Sequence, residues 1–339
     1  MKRRTDSDPA RLLEILGRFP GRRIVVLGDL VADEFVYGDI LRVSREAPVL
    51  ILEHRETVSV PGGGANAVAN LRALDASPIP VGVVGEDAAG DRIVEQLRRT
   101  GVKTRGIRAE RGYATPAKSR ILAGGIHTRR QQIVRIDRGA SHGALSRAAL
   151  SGVKARLARE IDRADGFLIA DYGYGAAPPA LLRSLPARAR ARTTVDSRAR
   201  VPAFRGILAC TPNQEEVERA LGVPPLRGGR ALEEAGRTLL RRTGNRAVLV
   251  TRGARGMSLF ERQQETVQIP AFGPDEVADV TGAGDTVTAV FSLSLLSGAS
   301  FPEAAALANI AAGLVVMKVG TATVSRREMR VAVEEGSRS

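Results

Sequence analysis

Short β-branched runs alternate with helix-period segments along most of the chain, and this alternation limits the fold more than any other feature. RIVVLGD (23–29), IPVGVVG (79–85), GFLIADY (166–172), TTVDS (193–197), GILAC (206–210) and RAVLVT (246–251) read as buried strands. Residues 64–75, 87–100, 145–163, 213–221 and 229–243 read as helices between them, and 282–297 and 302–317 close the chain. Such alternation means a mostly parallel sheet with helices on both faces. With 339 residues, 43% of them apolar, the chain can bury one large core.

Two stretches break the pattern. Residues 35–60 (FVYGDILRVSREAPVLILEHRETVSV) and 113–137 (YATPAKSRILAGGIHTRRQQIVRID) carry period-2 segments with no helix between them. They predict a small antiparallel sheet built from two excursions, a flap over the carboxyl ends of the parallel strands, where open α/β sheets bind ligands.

Several function classes drop out on composition. The longest nearly apolar stretch, AAALANIAAGLVVM (304–317), is too short for a membrane span and is interrupted by Asn309. The start, MKRRTDSDPARLLEILGRFPGRR, lacks a signal peptide's apolar segment, and Cys210 is the only cysteine, so a reducing cytoplasm is expected. A net charge of +14 invites a nucleic-acid reading, but the 51 basic residues are spread along the chain with only 4% aromatics and no recognition motif. An arginine-rich solvated surface, part of it open to small anions, is the expected use.

The glycines locate the chemistry. PGGGANAVANL (61–71) turns from a strand into a helix, and Gly62, Gly63 and Gly64 admit either a ligand or a tight packing turn. No GxxxxGK[ST] or GxGxxG pattern occurs, so neither a P-loop nor a dinucleotide fingerprint is present. DVTGAGDT (279–286) runs straight into AVFSLSLL. If Gly282, Ala283 and Gly284 form a helix's first turn, their N–H groups and the helix dipole make an anion hole. A carboxylate in that place, Asp285, either complements the helix terminus or takes the proton of a hydroxyl attacking a bound phosphate.

Together, DVTGAGDT and PGGGAN resemble the two signatures of the ribokinase-like, or phosphofructokinase-B-type, carbohydrate kinases. GDLVAD (28–33), TPNQEE (211–216), TRGARG (251–256) and KVGTATVS (318–325) match in the same order. GDLVADEFVYGDILRVSREAPV, KSR (118–120), RRQQIVRID (129–137) and ADYGYG (170–175) further resemble the kinase domain of bacterial heptose-7-phosphate kinases of the ADP-heptose pathway. The resemblance implies a ribokinase-like three-layer α/β/α fold: an extension over 1–21, a kinase domain over 22–333 and a tail over 334–339.

The same resemblance implies roles. Asp285 is the expected base, with Gly282, Ala283 and Gly284 as anion hole. Asp33, Gly62, Gly63 and Asn66 would bind sugar hydroxyls. Asn213 and Glu216 would hold the ATP phosphates and, through water, Mg2+. Thr251, Gly253 and Gly256 would line the nucleotide groove, with Asn309 near the base; Asp279 and Gly320 lie where some relatives bind a monovalent cation such as K+. Each has a plainer rival: Asp33 as a turn cap, Asn213 and Glu216 as a helix capping box, Asn309 as a buried packing polar.

Gly63 stands where ribokinases have lysine, Tyr174 where heptose kinases have lysine, and Gly124 to His127 form a short insertion. A second nucleotidyltransferase domain with an HxGH-type motif, found in many relatives, is missing from this sequence, so a stand-alone kinase is expected. The expected reaction phosphorylates the anomeric hydroxyl of D-glycero-D-manno-heptose 7-phosphate, with Lys118, Arg120, Arg129 and Arg135 offering a clamp for its phosphate. Another sugar or sugar-phosphate kinase is the alternative. A non-catalytic nucleotide-sensing or nucleic-acid-binding protein is the alternative of another class. A homodimer through the flap is expected.

Overall fold

A computed structural model describes residues 3–4, 8–124, 130–139, 145–273 and 278–336. In chain order the strands are β1 (Arg3–Arg4), β2 (Arg23–Gly28), β3 (Leu30–Val43), β4 (Leu50–Gly63), β5 (Ser77–Gly85), β6 (Ile107–Glu110), β7 (Ala117–Gly124), β8 (Gln131–Arg138), β9 (Gly166–Asp171), β10 (Thr193–Ser197), β11 (Ala209–Cys210), β12 (Ala247–Thr251), β13 (Met257–Glu261) and β14 (Val267–Ile269). The main sheet runs β1-β14-β13-β12-β11-β10-β9-β2-β5-β6. From β6 to β12 neighbouring strands pair parallel, and β13 pairs antiparallel to both β12 and β14.

Buried strands with two apolar faces explain the three layers. In β2, Ile24 and Val26 enter one core while Val25 and Leu27 enter the other. Leu168 and Ala170 of β9 divide from Phe167 and Ile169 in the same way. The first core also holds the helices Gly64–Ala73, Ala283–Leu296 and Phe301–Val315; the second holds Arg147–Glu160 and Gly228–Thr243. Residues read as an N-terminal extension join the first core: helix Pro9–Gly17 and the turn after it bury Leu12, Ile15, Leu16 and Phe19.

The flap forms as a separate four-stranded sheet, β4-β3-β7-β8. Its two antiparallel hairpins join through a parallel pairing of β3 with β7, which sets Asp33 beside Lys118 and Phe35 beside Arg120. Residues 125–127 of the expected insertion lie outside the described residues.

Strand order reverses between β2 and β9: later strands build outward from β9 on one side, and β5 and β6 from β2 on the other. A crevice opens at the carboxyl ends of strands at such a point. Asp29 follows β2 and Tyr172 follows β9 there.

Candidate active site

Two glycine-led helices meet at this crevice. Helix Ala283–Leu296 starts from Gly282, whose φ of 78° is left-handed and favours glycine. This tight turn folds the Ala283 N–H back onto Val280 O at 3.2 Å. The anion hole read from the sequence is thereby altered: Ala283 is occupied. Gly282 and Gly284 donate to no protein acceptor among the described residues. A Cβ on Gly284 would meet nothing within 4 Å, so the space above this turn is open.

Asp285, buried to 6% exposure, stands one residue into the turn. Asn66 Nδ2, from the facing helix Gly64–Ala73, donates to its Oδ2 at 2.9 Å and to Gly282 O at 3.3 Å. The Tyr172 hydroxyl donates to Oδ1. Burial pushes the Asp285 carboxyl up to about 6 against these two donors, which oppose the shift. Asn66, expected at the sugar, donates to Asp285 and to the turn that precedes it.

Asp285, Asp33, Gly63, Lys118, Arg120, Asn213, Glu216 and Thr251 all line one cleft of about 270 Å³. Asp33 accepts from Arg120 Nη1 at 2.7 Å and from Thr321 Oγ1 at 3.1 Å. Gly62 lies against it, since a Cβ there would come within 2.4 Å of Asp33 Oδ2. Lys118 is buried, and its Nζ has no hydrogen-bond acceptor among the described residues; the rings of Tyr172 and Tyr174 lie 5.6 and 5.7 Å away. Desolvation and the nearby Arg198 hold its ammonium below the ordinary lysine range. Of the other clamp candidates, Arg135 is paired with Asp137 at 2.6 Å, and Arg129 lies outside the described residues.

Asn213 and Glu216 take the capping-box role that the sequence offered, and they also stand at the cleft. They form the capping box of helix Gln214–Leu221, Asn213 Oδ1 accepting from Glu216 N and Glu216 Oε2 from Asn213 N, each at 2.8 Å, and they also line the cleft. Asp196, at the end of β10, faces the same space. Burial raises both carboxyl groups above their ordinary range, and the charge of Glu216 raises Asp196 further. Two crowded carboxylates on the wall of the cleft fit a hydrated divalent cation that keeps most of its water.

A second, more apolar cavity of about 430 Å³ shares Thr251, Val280 and Gly284 with the first. Gly253, Gly256, Met257, Phe272, Val287 and Asn309 line it. Asn309 Nδ2 donates to Pro270 O at 2.8 Å, so it fixes the wall of this groove. Asp279 joins the two loops expected at a monovalent cation: its carboxylate accepts from Thr281 N at 2.8 Å and from Gly320 N at 3.0 Å.

Sequence reasoning assigned no role to Asp29, Tyr172, Asp196 or Arg198. Each ends or follows a parallel strand, and that position was the available signal. Asp29 organises the loop after β9, accepting N–H bonds from Tyr172, Tyr174 and Ala176 at 2.8, 3.0 and 2.9 Å.

A buried carboxylate at a helix N-terminus, a glycine turn with open space above it and adjoining polar and apolar pockets on a three-layer α/β/α fold are the features of a small-molecule phosphotransferase. Residues 22–328 match the pfkB family of carbohydrate kinases, and the chain belongs to that family. It is an ATP-dependent carbohydrate kinase. It is 37% identical over 321 residues to the bifunctional protein HldE of Desulfatibacillum aliphaticivorans and 39% identical over 321 residues to that of Trichlorobacter lovleyi. These alignments cover 94% and 92% of this chain but only 64% and 62% of those proteins. The fold is that of Arabidopsis thaliana ribokinase in complex with ribose and ATP (TM-score 0.70, 23% identity, 93% of this chain and 99% of that one). Escherichia coli phosphofructokinase-2 in complex with substrates and products is similar too (TM-score 0.74, 18% identity, 93% and 99%).

Proposed function

We propose that the protein transfers the γ-phosphoryl group of ATP to the anomeric hydroxyl of D-glycero-D-manno-heptose 7-phosphate, giving the 1,7-bisphosphate. One observation carries the acceptor class: a buried lysine ammonium, Lys118, lines the cleft of Asp285 with no hydrogen-bond acceptor for its protons among the described residues. A buried charge without a partner is costly, and an acceptor already bearing a phosphate supplies one. The resemblance of the GDLVAD…REAPV and ADYGYG segments to heptose-7-phosphate kinases narrows that class.

In this reading Asp285 takes the proton of the anomeric hydroxyl as its oxygen attacks the γ-phosphorus, and the bond from phosphorus to the ADP oxygen breaks. The N–H groups of Gly282 and Gly284 hold the transferred group, and Asp33 orients the sugar. Glu216 and Asp196 would hold Mg2+ through water, the ion supplying charge neutralisation at the phosphates. K+ beside Asp279 and Gly320 belongs to the same reading, as does a homodimer through the flap. ATP consumption across a panel of sugars and sugar phosphates tests it. Turnover confined to heptose 7-phosphate is expected, and preference for an unphosphorylated sugar would overturn the assignment.

A further inference from the structure

The Tyr172 ring packs against the first core, and its hydroxyl reaches beyond that packing to Asp285. Tyr172 follows β9, and its backbone N–H is pinned to Asp29 Oδ2 at 2.8 Å, so the ring is delivered from a fixed loop. Its ring lies 5.6 Å from Lys118 Nζ and 5.4 Å from Arg198 Cζ. We propose that Tyr172 is a positioning residue: its hydroxyl, donated to Asp285 Oδ1, keeps a buried carboxylate ionised and turned into the cleft. The inference rests on the reading of Asp285 as base.

Each element packed against Asp285 contributes to its charge state. Helix Gly64–Ala73 gives Asn66, β3 gives Asp33 and β7 gives Lys118, while Asp196 of β10 is itself raised by the charge of Asp285. Burial and Asp33 favour the protonated form; Tyr172, Asn66 and Lys118 oppose it. Burial pushes the Tyr172 phenol well above its ordinary 10, so it stays a donor throughout the working range. Tyr172 is the only one of these groups that reaches Asp285 from the loop held by Asp29, and removing its oxygen leaves the packing of the ring in place.

The test is the titration of the Asp285 carboxyl carbon by NMR in ligand-free protein, assigned with Asp285→Asn, for wild type and Tyr172→Phe. The midpoint should rise by about one pH unit in Tyr172→Phe. The acid limb of kcat/KM should move up by the same amount, and activity should recover toward wild type above pH 8. If Tyr172→Phe does not fold, 3-fluorotyrosine at 172, a stronger donor of nearly the same shape, should move the midpoint and the limb down instead. An unmoved midpoint in either variant, or an equal loss of activity at every pH, overturns the inference. Because the carboxyl titration needs no substrate, it stands apart from the kinase assay: a wild type inactive on every sugar would sink the functional reading alone.

Discussion

Arg120 Nη1 lies 2.7 Å from Asp33 Oδ1, and both side chains are largely buried, at 12% and 7% exposure. The arginine is thus placed to orient the Asp33 carboxylate, and its guanidinium also lies 5.3 Å from the Phe35 ring. Removing one member of a buried pair strands the other charge, at a cost of about 3 kcal/mol. Arg120→Ala should lower the melting temperature and raise KM for the sugar together, leaving KM for ATP unchanged. Thermal melts beside steady-state kinetics check this; a KM effect at full stability would return Arg120 to the role of a direct clamp.

Asp285→Asn keeps size and hydrogen-bonding reach while removing proton acceptance. Turnover should fall by about 10²-fold or more with ATP affinity retained. Stability should change in the other direction. The folded carboxyl titrates at about 6, above its ordinary 3.8, so its contribution is complete below about pH 4 and is lost as pH rises through 6. The shift corresponds to roughly 3 kcal/mol. Asp285→Asn should then melt above the wild type at pH 8, and the gap should narrow toward pH 4; a constant gap would show that Asp285 carries no such burden.

The parallel strands were legible because burial on both faces makes each a continuous apolar run. The hairpin of β13 and β14 was not: MSLFE and VQI are short and broken by polar residues. DVTGAGDT pointed to Asp285 and its helix turn, since its glycines and aspartate are adjacent. Its supports were hidden, because Asn66 and Tyr172 reach Asp285 across 219 and 113 residues of chain. Helix Pro9–Gly17 falls in the stretch read from the sequence only as an extension, and its docking depends on Leu12, Ile15 and Leu16 finding the first core, which no local pattern states.

Gly284 offers a test of the anion-binding turn. Because a Cβ there meets open space in the protein, Gly284→Val should leave the melting temperature within a few degrees of wild type. The isopropyl group would stand where the transferred phosphoryl group is proposed to sit, so kcat should fall by about 10²-fold. Loss of folding and activity together would make the glycine purely structural.

The flap carries an unusual amount of exposed apolar surface. Leu41, Val43 and Val49 are 59, 59 and 55% exposed, and Ile133, Val134 and Ile136 on β8 are 41, 45 and 49% exposed. Surface of this kind is usually covered by a partner. For a two-fold dimer through the flap, Leu41→Glu would place two like charges in one interface. Sedimentation should show a dimer for the wild type and a monomer for the variant; a monomeric wild type would remove the dimer from the functional reading.

The acceptor's phosphate is tested at Lys118. Its ammonium is buried at 4% exposure without a hydrogen-bond acceptor among the described residues, next to the rings of Tyr172 and Tyr174. Such a charge destabilises the free protein, so Lys118→Met, which fills the same volume without it, should melt at or above the wild-type temperature. Binding should move oppositely: loss of a charge-assisted contact to phosphate is worth about 2 kcal/mol, or roughly 30-fold in KM for heptose 7-phosphate. KM for ATP should stay near its wild-type value, because the groove proposed for the nucleotide, lined by Gly253, Gly256 and Asn309, does not include Lys118. The contrast with Arg120→Ala, in which stability and sugar affinity fall together, separates a ligand contact from a scaffold contact. An unchanged KM for the sugar phosphate in a stable Lys118→Met protein would show that the buried ammonium does not meet the acceptor, and the choice of a phosphorylated sugar would lose its support.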